Sequence, residues 1–129
     1  MLPFRVTLQP GRPVYGQIIE AVKYSAAAGT LRSGERFPSV RAIAQELGVN
    51  PNTVQRAIAE LTTLGLLEVR AGQGCFITSA QPARRDERAA ALRPLLRQAL
   101  VEAATLGMDF DELLALLQRE NSKLHEQRD

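Results

Sequence analysis

The sequence contains one cysteine and one histidine, and this scarcity excludes several kinds of site. Cys75 cannot form an internal disulfide, and His125 lies too far along the chain to complete a zinc-type spacing with it. We therefore expect no metal site and no cofactor, and a reducing, cytoplasmic setting. Cys75 is interpreted as a strand residue rather than a redox sensor, and His125 as a solvated side chain.

The chain also lacks a long apolar run. Its N-terminal stretch, MLPFRVTLQPGRP, has no apolar core of the kind that a signal peptide requires, and Arg93, Arg97 and Glu102 interrupt the apolar segments near the C-terminus. We predict neither a signal peptide nor a membrane span. Paired catalytic groups and a phosphate-binding GxxxxGK[ST] loop are missing as well, so we do not expect an enzyme.

What is present is an ordinary composition for a folded protein, with 45% hydrophobic and 23% charged residues in 129. This length allows one modest core and one small additional element. The net charge is +2, and residues 1–80 carry eight Lys/Arg against five Asp/Glu, whereas residues 81–129 carry eight against nine. The positive excess of the N-terminal part has the sign expected for contact with phosphates.

Residues 39–64, SVRAIAQELGVNPNTVQRAIAELTTL, predict two short amphipathic helices joined by a tight turn. Ser39 and Asn50 are suited to cap the two helices, Gly48 to end the first in a left-handed conformation, and Pro51 to open the second. The predicted buried stripes are Ile43, Ala44 and Leu47 on the first helix, and Val54, Ala57, Ile58, Leu61 and Leu64 on the second. The pattern is typical of a helix-turn-helix.

The other face of the second helix offers polar and small groups suited to a DNA major groove, namely Asn52, Gln55, Arg56, Ala59 and Thr63. Beyond Gly65, LLEVR and CFITS predict two strands around a glycine-rich turn, AGQG. Gly72 and Gly74 allow the backbone to approach phosphate, and Arg70 and Gln73 are the expected contacting side chains. A hairpin at this position is the wing of a winged helix.

The residues that precede the helix-turn-helix are expected to pack against it and support it. Residues 4–8, FRVTL, predict a short strand or an extended arm. A first helix follows from Pro13 to near Gly29, and Leu31 and Phe37 are expected to fill the core after it. Its buried face is predicted from helical spacing to comprise Tyr15, Ile18, Ile19, Val22 and Ala26.

The C-terminal part predicts a polar linker, Gln81–Arg85, followed by two amphipathic helices. Pro94 either kinks the first of these helices or marks its start, and Asp109 is suited to cap the second after a stop at Gly107. The apolar stripes are Leu92, Leu95, Leu96, Ala99, Ala103 and Leu106, then Phe110, Leu113, Leu114, Leu117 and Leu124. Two such helices expose more apolar surface than they can cover between them, so we expect a homodimer.

The expected fold is therefore α+β, mainly α with a small β-hairpin. A winged helix-turn-helix domain spans residues 1–80, and a linker with a two-helix dimerisation tail spans residues 81–129. The stretch FPSVRAIAQELGVNPNTVQRAIAELTTLGLLEVRAGQGCFI resembles the DNA-binding domain of GntR-type bacterial transcription regulators, and the short tail resembles their YtrA-like branch. The resemblance implies a homodimeric repressor that occupies a pseudo-palindromic, inverted-repeat operator in double-stranded DNA, often near transporter genes. It names no effector.

By motif position, the resemblance assigns DNA contact to Arg41, Asn52, Thr53, Gln55, Arg56, Gly72 and Gln73, and Arg70 joins them as a wing residue. Many long-tailed relatives have arginine where this sequence has Pro51 and Gln55. A solvated charge is the alternative interpretation for Arg41 and for Arg56. A role only at the helix start is the alternative for Asn52, Thr53 and Gln55, of which Thr53 is the best placed to assist capping. The alternative function is a protein-protein interaction module whose leucine-rich tail binds a partner or a small molecule.

Overall fold

The computed structural model describes residues 2–78 and 85–126. In these ranges, five helices and one antiparallel hairpin occur in the order α1 (Val14–Ala28), α2 (Val40–Leu47), α3 (Pro51–Thr63), β1 (Leu67–Arg70), β2 (Gly74–Ile77), α4 (Arg85–Thr105) and α5 (Phe110–Glu126). The predicted fold class, mainly α with a small hairpin, is confirmed. The chain divides into two compact units, the first comprising Met1–Ala80 and His125–Asp129 and the second Gln81–Leu124.

The predicted caps are present in the helix-turn-helix. The Ser39 hydroxyl accepts from the Ala42 amide at 3.1 Å, and the Asn50 side-chain oxygen accepts from the Asn52 amide at 2.8 Å. Gly48 ends α2 with φ +66°, a left-handed conformation that costs glycine little. These three positions set the bounds of α2 and the start of α3.

The core of the first unit lies where α3 packs against α1, α2 and β1. Its most deeply buried large side chains are Ile18, Val22, Ile43, Val54, Leu61 and Leu67, each less than 2% exposed. Leu31 and Phe37, at 5% and 3% exposed, fill the core as predicted. On α1, Ala26 is half-buried, while Ser25 and Ala28 are buried. Helix α3 is thus held in place by three other elements.

Leu64 corrects the predicted stripe of α3, because its side chain is 53% exposed. The helix ends at Thr63, and the chain turns away through Gly65 at φ +80°. Leu67, the first residue of β1, is 1% exposed and packs in the core cluster with Leu61. A side chain beyond the last helical turn no longer follows the helical periodicity, so the stripe stops at Leu61.

The N-terminal residues form an arm without strand structure, which leaves the extended-arm alternative for residues 4–8. Phe4 is 4% exposed and stacks on Phe37 with ring centroids 5.7 Å apart. Gln17 of α1 secures the turn that follows: its Oε1 accepts from the Gln9 amide at 2.7 Å, and its Nε2 donates to the carbonyls of Gln9 and Arg12 at 3.0 and 3.1 Å. Buried polar atoms are thereby paired.

In the second unit, Pro94 lies inside α4, so it does not mark the start of that helix. Asp109 caps α5, accepting from the Glu112 amide at 2.9 Å, and Gly107 takes φ +77° in the preceding turn. Residues 81–84 of the predicted linker lie outside the described ranges, and Arg85, predicted as its last residue, is instead the first residue of α4. None of the described helices has the length and apolar character to cross a membrane.

The apolar side chains of α4 and α5 are largely uncovered. Exposure reaches 55–76% for Leu92, Leu95, Leu106, Phe110 and Leu117. Ala103 differs, at 6% exposed. Two apolar residues of α4 outside the predicted stripe, Leu100 and Val101, are also 47% and 63% exposed. At about 100° per residue, Val101 lies on the opposite side of the helix from Leu92.

Candidate nucleic-acid interface

The outward face of α3 presents a row of polar side chains. Asn52, Gln55 and Arg56 are exposed and lie on one side of the helix, opposite the buried Val54 and Leu61. Thr53 is half-buried, and the side chain that caps α3 is that of Asn50. Because no acidic side chain lies among them, this face can donate hydrogen bonds to base edges and to phosphate oxygens.

Arg56 is held in place by an aromatic ring from another helix. Its guanidinium carbon lies 3.9 Å from the centroid of the Tyr15 ring on α1, a cation-π geometry. Tyr15 is half-buried and packs against the core, so its ring is a fixed support. The sequence analysis placed Tyr15 only on a buried stripe. Its position in the first turn of α1 carried no signal for contact with Arg56.

Arg41 is exposed on the first turn of α2, directly after the Ser39 cap. The free amides of that turn and a guanidinium are both donors suited to an anion, although the helix is short. The structure thus brings Arg41 and the row on α3 into one unit, on neighbouring helices that pack together.

A hairpin forms where the sequence predicted one, but its second strand begins at Gly74, one residue earlier than expected, and ends at Ile77. Its strands pair with Leu67 opposite Ile77 and Arg70 opposite Gly74, and the turn between them spans residues 71–73. Gly72 takes φ +73°, and the Gln73 amide donates to the Arg70 carbonyl at 2.9 Å. Gly72 and Gln73 are exposed at the tip.

Arg70 lies along the hairpin rather than beyond its tip. Its guanidinium carbon is 4.0 Å from the centroid of the Phe76 ring, and its Nη2 lies 2.6 Å from Glu68 Oε1. Both partners of this ion pair are close to half exposed, so the pair is weak, worth at most about 1 kcal/mol. A phosphate can therefore compete with Glu68 for Arg70.

Arg36, which the sequence analysis did not single out, reaches the wing tip from the segment before α2. Its Nη2 donates to the Gln73 carbonyl at 2.7 Å. A shallow cleft of about 270 Å³ lies beside it, lined from three directions by the residues before α2, by α3 and by the hairpin. Gln55, Ile58 and Val69 are among the lining side chains. The cleft joins the row on α3 to the wing.

Cys75 lines the same cleft from β2 and is half-buried. Burial raises the pKa of its thiol, and a hydrogen bond with the Phe76 backbone lowers it by less. A raised pKa keeps the thiol protonated at neutral pH, and the protonated form is the poorer nucleophile. Among the described residues there is no group of three or more His, Cys, Asp or Glu placed to hold a metal ion.

Comparison with known proteins gives a consistent family assignment. Residues 14–77 match the model for bacterial regulatory proteins of the gntR family. The chain is 34% identical to the uncharacterised HTH-type transcriptional regulator YhcF of Bacillus subtilis strain 168, over 82% of this chain and 88% of that protein. It is 31% identical to the HTH-type transcriptional repressor YtrA of the same organism, over 78% of each chain.

Solved structures of other proteins are also similar to this chain. A transcriptional antiterminator from Listeria monocytogenes EGD-e superposes with a TM-score of 0.81 at 28% identity, covering 95% of this chain and 92% of that one. The DNA-binding domain of AraR, solved in complex with operator ORX1, superposes with a TM-score of 0.53 at 26% identity, covering 57% of this chain and 95% of that one. The second of these proteins holds DNA in its crystal structure.

Proposed function

The chain belongs to the GntR family of bacterial regulatory proteins, and we propose that it is a homodimeric repressor that reads an inverted-repeat operator. As a member of this family it is a DNA-binding transcriptional regulator and not an enzyme. The observation that carries the proposal is the exposed row of Asn52, Gln55 and Arg56 on α3, flanked by a glycine wing. The repressor role is supported by the similarity to YtrA, a protein named as a repressor.

Within this proposal, the α3 row enters the major groove, with Thr53 beside it at the helix start. Arg41 and Arg70 contact phosphates, and the Gly72–Gln73 tip lies along the adjacent backbone or minor groove. The chemistry supports these roles, since guanidinium groups bind phosphate and guanine, and amides bind adenine or phosphate. A helix presented in this way by a helix-turn-helix is the usual means of reading a major groove.

Dimerisation is proposed through the tail. The uncovered apolar side chains of α4 and α5 would lie in a protein interior if a second copy packed on them. The proposed contact set is Leu92, Leu95, Leu96, Ala99, Leu106, Phe110, Leu113, Leu114 and Leu117, with Ala103 beneath it. A two-fold dimer places two identical readers on the two halves of an inverted repeat.

We expect the protein to shift a fragment carrying the promoter of its own operon in a gel assay. Specific affinity should exceed that for a scrambled duplex by about 1,000-fold or more. It should also fall steeply with salt, because each neutralised phosphate releases counterions. Equal affinity for every duplex would contradict operator reading, and an unshifted promoter would favour the alternative, a protein-docking module. A footprint upstream of neighbouring transporter genes would test the proposed target class.

Arg56→Ala should weaken operator binding by about 1–3 kcal/mol if Arg56 reads a base. Tyr15→Leu should give part of this loss, because the guanidinium loses its support, while Tyr15→Phe keeps the ring and should bind as the native protein does. Fluorescence anisotropy at one fixed salt concentration measures each variant.

Arg119→Ala on α5 is the matched control, since it removes the same charge far from the reading helix in sequence. Loss of affinity equal to that of Arg56→Ala would show that general charge, not position, is responsible. If Tyr15→Phe binds as poorly as Tyr15→Leu, the phenol hydroxyl and not the ring is the relevant group.

A further inference from the structure

Residues 34–37 run alongside β2 and pair with it. The Gly34 amide donates to the Ile77 carbonyl at 2.8 Å, the Ile77 amide to the Glu35 carbonyl at 2.9 Å, and the Phe37 amide to the Cys75 carbonyl at 2.8 Å. Arg36 lies opposite Phe76 in an antiparallel bridge. Residues 34–37 therefore lie beside the two strands of the hairpin as a third extended segment. This segment leads through Pro38 directly into α2.

From this segment, the Arg36 side chain extends along β2 to the start of that strand, next to the wing tip. Its Nη2 donates to the Gln73 carbonyl at 2.7 Å. It also lies against Gly74: a Cβ at that glycine would be 3.2 Å from Arg36 Nη2 and 3.4 Å from its Nε. Gly74 takes φ +111°, a backbone conformation that favours glycine, and a side chain at this position would push the guanidinium aside by a few tenths of an ångström.

Gln73 is consequently held at both of its backbone polar groups. Its amide donates to Arg70 across the turn at 2.9 Å, and its carbonyl accepts from Arg36. A hydrogen bond from a charged donor is stronger than one between neutral groups. A loop tip that is ordered in the free protein loses less conformational entropy when it binds a ligand.

We propose that Arg36 is a positioning residue for DNA binding: it holds the wing tip in its binding geometry and ties that tip to α2, which carries Arg41. This inference rests on the proposed contact between Gln73 and DNA. Arg36 acts through the Gln73 peptide and not by touching the DNA itself. A direct phosphate contact by Arg36 is the competing role, and the two roles give different results when Arg36 and Gln73 are changed together.

The first measurement uses the free protein. Arg36→Met removes the donor and keeps much of the side-chain length, so the Gln73 amide should exchange its hydrogen at least about fivefold faster, while amides of the α3 core are unchanged. Arg36→Gln serves as a second variant if the methionine protein aggregates. Unchanged exchange at Gln73 would overturn the proposal, and this result does not depend on DNA.

The second measurement is a double-mutant cycle on the promoter duplex. Arg36→Met should reduce affinity about five- to tenfold, because a wing tip that is no longer held must be ordered when it binds DNA. In a Gln73→Ala background the same change should cost less than about twofold, because the side chain that Arg36 positions is gone. Equal costs in both backgrounds would show an independent contact and overturn the positioning role. Failure of the native protein to bind any duplex would instead refute the proposed function, leaving the exchange result to stand alone.

Discussion

Leu95→Glu is expected to dissociate the proposed dimer into monomers. Leu95 is 61% exposed in the single chain and lies within the proposed contact set of the tail. An unpaired carboxylate buried at a subunit contact costs about 3–5 kcal/mol, which corresponds to a rise in the dimer dissociation constant of about 100-fold or more. Sedimentation velocity across a range of concentrations measures the change.

Val101→Glu is the matched control for this experiment. Val101 is 63% exposed on the same helix, but it lies on the side opposite Leu92. The substitution therefore adds the same charge at a similar exposure, away from the proposed contact. A dimer lost in Val101→Glu and retained in Leu95→Glu would place the contact on the other face of α4.

Leu95→Glu also separates the contribution of dimerisation from that of DNA binding by each subunit. A monomer can still occupy one half-site, but it loses the gain in effective concentration that a linked second reader provides. Leu95→Glu should therefore bind a full inverted repeat only as tightly as a single half-site. If full-site affinity is retained in a protein that sediments as a monomer, the operator is read without the tail contact.

Leu61→Ala is expected to lower the free energy of unfolding by about 2–5 kcal/mol, the range for large-to-small changes in a packed core. Leu61 is completely buried on α3, the helix that packs against α1, α2 and β1. The shortened side chain leaves a cavity where these elements meet. Urea unfolding followed by circular dichroism gives the difference, and the loss should appear as a lower midpoint with an unchanged slope.

Leu64→Ala is the control, because Leu64 is three residues further along and is 53% exposed. Its removal should change the unfolding free energy by no more than about 0.5 kcal/mol. Equal losses in the two variants would mean that α3 is packed over a longer stripe than the structure shows. Such a result would restore the original expectation that Leu64 is buried.

The bounds of α2 and the start of α3 were predictable because the residues that set them act on neighbouring residues in the sequence. A Ser39 or Asn50 side chain bonds to an amide two or three residues away, and Gly48 adopts its left-handed conformation within a single residue. Periodicity likewise located the buried face of α3 as far as Leu61. It failed at Leu64, where the helix had ended and the pattern no longer described the geometry.

Side-chain contacts between distant segments could not be predicted in the same way. Arg36 and Gln73 are 37 residues apart, and their hydrogen bond exists only because residues 34–37 pair with β2. Arg56 meets Tyr15 only because α1 and α3 pack at one particular relative position. Arg70 was correctly placed on the hairpin, but its contact with Glu68 depends on rotamers that the sequence pattern does not encode.

The sequence by itself determined the order of elements, the caps and corner of the helix-turn-helix, the glycine turn of the hairpin and the family, because each depends on residue types at short, fixed spacings. Tertiary structure alone decided how the candidate DNA-contacting groups are held: Arg56 against Tyr15, the Gln73 peptide by Arg36, and Arg70 along the hairpin. These contacts join elements that are far apart in the chain. Their geometry follows from the packing of the core that brings those elements together.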